Sequence, residues 1–159
     1  SQKALNILLK KLPAIDDFPF QIPFHAAFHT PLMREVSKIA MKKIPLSYFE
    51  QPKIPLINGQ GQIYMPHSAD KNELRNYTLT SQVLSFYDFT ASIEVALKEF
   101  CPDNIVLLGP GNTLGGSIGQ ILIKNNWLNI KSKEGFIQLQ KQKPFLISMG
   151  DKKQRIFLF

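Results

Sequence analysis

The chain has 159 residues, enough for one domain with a sizeable core, and its 44% hydrophobic content is that of a globular protein. No apolar run approaches the roughly 18–20 residues of a membrane helix, and the single Cys101 leaves no internal disulfide, so a reducing cytoplasm is the expected setting. Of the formal charge of +7, most lies in residues 124–159, where eight lysines and arginines face only Glu134 and Asp151; they alternate with other residues rather than forming a block, which reads as a solvated face and not a nucleic-acid footprint.

In chain order, Ala4 to Leu12 reads as a short amphipathic helix with Leu5, Leu8, Leu9 and Leu12 on one side, ended by Pro13. Its lysines interrupt any signal-peptide layout. After the Asp16-Asp17 turn, Phe18 to Phe24 is an extended, proline-interrupted run. Thr30 is a good N-cap and Pro31 suits the first helical position; Leu32, Met33, Val36, Ile39 and Ala40 then recur at helical spacing, predicting a helix from Pro31 to Lys42. Ile54 to Asn58 reads as a short buried strand before the turn-rich NGQGQ, and Met65 to Asn76 as a loop with a turn of helix, its His67 exposed. Phe89, Ile93, Leu97 and Phe100 form a core-facing helical stripe; Asn104 to Leu108 is a buried strand; GPGN is a tight turn; Leu114, Ile118, Ile121 and Leu122 make a second stripe. This alternation predicts an α/β layer fold. At the end, Phe145 to Met149 and Arg155 to Phe159 flank Gly150-Asp151 and predict a β-hairpin.

His29 sits where an extended segment meets a helix start, a place from which α/β folds present side chains to a cleft. A histidine between Phe28 and Pro31 is as a rule a packing residue, so its neighbours have to make the case for a general base. His25 lies four residues earlier, but HAAFH is bracketed by Pro23 and Pro31 and lacks clustered cysteines or carboxylates, so no metal site is expected. GPGNTLGG is no nucleotide loop: the P-loop lysine is missing, and Leu114 stands where a dinucleotide fingerprint needs glycine.

Three segments together do point somewhere. AFHTPLM (Ala27–Met33) resembles the AFHSPLM-type motif of malonyl-CoA:acyl carrier protein transacylases and the acyltransferase domains of polyketide and fatty acid synthases. SQVLSFYDFTASI is similar to the family's segment at Gln82, Leu84, Phe89, Thr90, Ser92 and Ile93, with Phe86 replacing its usual proline. GPGNTLGG resembles the family's GPGxxLxG turn. The resemblance implies that His29 is the base partner of a serine nucleophile. It implies too that Gln82 supplies the main-chain carbonyl that holds the ring's Nδ1–H, and that Phe28 shapes a malonyl-selective acyl pocket. Asn58 corresponds loosely to a strand-end asparagine of the family, though a turn-forming role explains it equally well.

The resemblance covers residues 1–124 and only the later half of the family's domain. The implied fold is a partial hydrolase-like three-layer α/β domain with a mostly parallel sheet (23–124), preceded by the last helix and strand of a ferredoxin-like subdomain (1–22) and followed by a basic extension with the hairpin (125–159). No GxSxG elbow occurs, so the nucleophile and its oxyanion hole would come from a missing N-terminal half, and the chain alone is expected to be inactive. Two accounts fit: a C-terminal fragment of an acyltransferase, favoured because Ser1 begins in mid-helix without an initiator Met, or a non-catalytic remnant that binds a carrier protein. Expected partners are acyl-CoA as substrate, an acidic acyl carrier protein, the serine-bearing half and a second copy of the chain through the tail or a truncated sheet edge. No cofactor, nucleic acid or membrane is called for.

Overall fold

A computed structural model describes residues 2–15, 19, 21, 26–109 and 111–158. The leucine spacing near the start produces α1 (Gln2–Lys11), which buries none of its residues. The extended run Phe18 to Phe24, and with it the strand of the subdomain remnant expected over 1–22, falls mostly outside the described residues. Thr30 takes the extended N-cap conformation and Pro31 follows it, but the Thr30 hydroxyl donates back to the Ala27 carbonyl (2.7 Å) instead of capping the helix. The first turn, Pro31–Met33, is therefore 3-10, and the α-helix α2 runs Arg34–Lys43.

The α2 helix rests on its polar inner side. Ser37 is buried and donates to the Leu79 carbonyl (2.7 Å), while Arg75 donates to the carbonyls of Ile44 (3.0 Å) and Met41 (2.5 Å), two groups the helix end leaves without partners. Of the apolar stripe of the sequence, Leu32, Val36 and Ile39 are exposed, while Met33 and Ala40 are half-buried.

Strand β1 (Leu56–Ile57) pairs antiparallel with β2 (Ile63–Tyr64), Leu56 opposite Tyr64 and Ile57 opposite Ile63. The expected buried strand at Ile54 to Asn58 is thus shorter, and Ile54 and Leu56 are exposed, the pair having no further strand beside it among the described residues. The turn between them is built by Asn58, whose Oδ1 accepts from the N–H groups of Gln60 (2.9 Å) and Gln62 (3.0 Å). The turn-forming role expected of Asn58 is thus present, with its side chain buried.

The expected loop runs from Met65 to Asp70, and its expected turn of helix is the start of a longer helix from Lys71 onward. Asp70 caps α3 (Lys71–Asn76) by accepting from the Asn72 N–H (2.7 Å). The helix passes through a π-helical stretch, Tyr77–Ser81, into α4 (Gln82–Leu84), and ends where Ser85 turns extended.

The main core forms beyond it. Asp88 caps α5 (Phe89–Phe100) through the Ala91 N–H (2.9 Å), and Cys101 ends it in the left-handed conformation just before Pro102. Then follow β3 (Ile105–Leu107), α6 (Gly115–Lys124), α7 (Lys133–Gln142, capped by Ser132) and β4 (Leu146–Ser148). Leu97, Ile118, Ile121, Leu122, Ile130, Phe145 and Leu146 form one buried cluster, so residues beyond 124 share the core of α5 and α6. Each fully buried leucine or isoleucine there contributes roughly 1.5–3 kcal/mol. The chain is mixed α/β, with β3 and β4 parallel.

The expected C-terminal hairpin is a correction. Phe145, Leu146 and Ile147 are all buried, the continuous apolar run of a strand covered on both faces, and β4 pairs with β3 across the α6–α7 crossover. Residues Arg155–Leu158 form a 3-10 turn, because Asp151 gathers the following N–H groups: its Oδ1 accepts from Lys153 (2.9 Å) and its carbonyl from Gln154 (3.1 Å). Among the described residues no helix is long and apolar enough to cross a membrane.

Candidate active site

The helix that ends at Leu84 leaves its last carbonyls unpartnered, and His29 occupies two of them. Its ring Nδ1 lies 2.5 Å from the Gln82 main-chain oxygen, and its backbone N–H donates to the Val83 oxygen (2.9 Å). Holding both at once requires a left-handed backbone at His29 (φ 62°), a conformation uncommon outside glycine and more accessible to histidine than to most residues. A carbonyl can only accept, so the proton of this contact is on Nδ1 and the neutral ring keeps the Nε2 lone pair. No hydrogen bond reaches Nε2 among the described residues, and the ring is exposed.

Tyr87 supports the imidazole from the side, with ring centroids 5.6 Å apart and planes tilted by 44°. Its own position depends on Gly59. A Cβ at that glycine would lie 2.1 Å from Tyr87 Cδ2, so only glycine lets the β1–β2 turn pass over the ring. The turn is tied down on both sides. The Gly59 N–H donates to the Tyr77 hydroxyl (2.6 Å), its carbonyl accepts from the Asp88 N–H (2.7 Å), and Ser92 Oγ donates to the Asn58 carbonyl (2.8 Å). Burial pushes the Tyr77 phenol above its ordinary pKa against the lowering effect of the Gly59 bond, and the neighbouring Tyr87 and Tyr64 raise it further. The hydroxyl therefore stays protonated near neutral pH.

The structure brings His29 and Gln82 together from segments far apart in sequence, while Phe28, next to His29 in the chain, is half exposed (49%). Gly59, Tyr87 and the Val83 carbonyl escaped the sequence reading. Their contribution comes from backbone and packing, which no residue pattern reports. His25 lies outside the described residues; among the described ones, no group of three or more His, Cys, Asp or Glu side chains could hold a metal ion. No protein family, curated protein or solved structure matches the chain.

Proposed function

We propose that this chain is the base-bearing half of an acyltransferase that moves a malonyl-type acyl group from CoA to the phosphopantetheine thiol of an acyl carrier protein. The observation that carries the reading is the 2.5 Å contact between His29 Nδ1 and the Gln82 carbonyl. In a serine–histidine pair this bond takes the place of the carboxylate of other triads, fixing the tautomer and aiming Nε2 at the hydroxyl. The serine would be carried by polypeptide outside these 159 residues, since no GxSxG occurs within them. The parallel β3–β4 pair with its crossover helices would be part of a hydrolase-like three-layer core.

The chemistry runs in two halves. The serine hydroxyl loses its proton to His29 Nε2 while its oxygen attacks the thioester carbonyl of acyl-CoA. The tetrahedral intermediate expels the CoA thiolate, which takes the proton back from the imidazolium. The phosphopantetheine thiol then loses its proton to Nε2 and attacks the acyl-serine, and the serine oxygen leaves with that proton. The partial negative charge of the carbonyls at the end of α4 favours the positive charge the ring gains in each half.

Two measurements test this. In the isolated chain, 15N NMR of the imidazole should show the Nδ1–H tautomer; an Nε2–H tautomer removes the base assignment. In the assembly that includes the serine, His29→Ala should lower acyl transfer by about six orders of magnitude, as loss of the base of a serine triad does. Turnover near that of the parent would leave the non-catalytic, carrier-binding alternative.

A further inference from the structure

A serine inside a helix commonly bonds the carbonyl one turn back or faces water. Ser37 does neither. Its side chain is buried, and its hydroxyl reaches across to the Leu79 carbonyl at 2.7 Å, inside the π-helical stretch Tyr77–Ser81. That stretch has a carbonyl to spare. The Gln82 N–H reaches the Tyr77 carbonyl, five residues back, with the Thr80 carbonyl as a second acceptor. The Ser85 N–H has returned to the α-helical partner four residues back, Ser81 (2.9 Å). Between these two bonds the N–H groups of Val83 and Leu84 face the carbonyls of Thr78, Leu79 and Thr80, so one carbonyl of the three has no N–H of its own. Ser37 supplies a donor to the middle one, the partner that a widened turn requires in a buried setting.

Gln82 follows the stretch directly. Its carbonyl meets His29 Nδ1, and the Val83 carbonyl accepts the His29 N–H. A π turn carries one residue more than the α turn it replaces. Everything beyond it is therefore rotated by about 100° relative to an unbroken α-helix, the angle of one residue in a 3.6-residue turn. With the extra residue one turn later, the Gln82 and Val83 carbonyls would point away from His29. The place of the π turn thus decides whether the ring is held. Tyr77 fixes its start, since its hydroxyl accepts the Gly59 N–H (2.6 Å); Ser37 holds it from the carbonyl side. His29 and Ser37 lie on one segment, so ring and hydroxyl grip the same helix in register.

We propose, resting on the reading of His29 as the base, that Ser37 is its positioning residue: by holding the Leu79 carbonyl it pins the π turn at 77–81 and so aims the Gln82 carbonyl at the ring's Nδ1. Ser37 acts only through the helix backbone and takes no part in proton transfer.

The test is 15N NMR of the imidazoles in the isolated chain at a pH where they are neutral, with the His29 signals identified by their loss in His29→Ala. The parent should show the Nδ1–H tautomer. Ser37→Ala should lose it in favour of Nε2–H, the form that predominates for a free imidazole side chain in water. Arg75→Met removes the other polar anchor of α2 and leaves the donor to the Leu79 carbonyl in place; it should lower Tm and keep the Nδ1–H tautomer. Should Ser37→Ala fail to fold, Ser37→Cys puts a much weaker donor in the same place and should move the tautomer in the same direction. A folded Ser37 variant whose tautomer matches the parent, or an Arg75→Met that loses Nδ1–H to the same extent, overturns the positioning role while His29 stands as the base. Nε2–H already in the parent overturns both.

Discussion

Gln140→Leu should destabilise the chain far more than a half-exposed glutamine on a helix surface suggests. The side chain satisfies three backbone groups of the buried residues Phe145 and Leu146, two N–H and one C=O. Leucine has similar bulk and no polar atom, so the substitution strands all three at the edge of the core. A buried polar group left without its partner costs about 1–3 kcal/mol. Water can reach part of this edge and leucine adds some apolar burial, so the lower end applies, about 1 kcal/mol per group and roughly 3 kcal/mol in all. For a domain of this length that lowers Tm by roughly 6–12 °C. The assay is urea unfolding followed by the fluorescence of Trp127, the only tryptophan, which packs 6.4 Å from the Phe145 ring and reports on the affected strand. Gln142→Leu, on the exposed side of the same helix, should change stability by no more than about 0.5 kcal/mol. A loss under about 1 kcal/mol in Gln140→Leu, at unchanged m-value, would refute the reasoning that this side chain closes the β4 edge.

Gly59→Ala should force Tyr87 off its present place, cost roughly 1–3 kcal/mol as overpacking does, and shift the His29 ring resonances in NMR; a neutral variant with unmoved resonances contradicts the described packing. Phe28→Ser, in the complete acyltransferase, should raise kcat/KM for methylmalonyl over malonyl thioesters by about 10–200-fold, the range a single methyl group commands in a filled pocket, and an unchanged ratio ends Phe28's assignment to the acyl pocket. Glu94 links α5 to α6, its carboxyl held below the ordinary carboxylate pKa by the Asn125 amide first and then by Lys124. A lowered folded-state pKa adds stability that is present above the ordinary carboxylate value and is lost as pH falls through the folded one. The Tm gap between parent and Glu94→Gln should accordingly narrow from pH 7 to pH 3, and a constant gap would remove the ionic contribution.

Several elements were legible from residues alone because their signals are local. The stripe Phe89, Ile93, Leu97 and Phe100 and the later Ile118, Ile121 and Leu122 repeat at helical spacing, and α5 and α6 lie there. His29 and Gln82 stood out through short motifs, and the backbone contact between them was expected from the resemblance. Other features waited for the tertiary structure. Phe145, Leu146 and Ile147 form an apolar run that suits either a hairpin or a covered parallel strand, and the choice depends on whether a distant β3 and two intervening helices can bury both faces. Val36 and Ile39 of α2 are left exposed where the groups that anchor the helix are polar: the Ser37 hydroxyl and the Arg75 guanidinium, each bonded to a backbone carbonyl of another segment. The left-handed backbone at His29 has the same origin, since two carbonyls at the end of a helix some fifty residues away hold it there. Spacing along a chain records which faces one element can offer; which face is covered is decided by contacts between elements, and those depend on residues no local window contains.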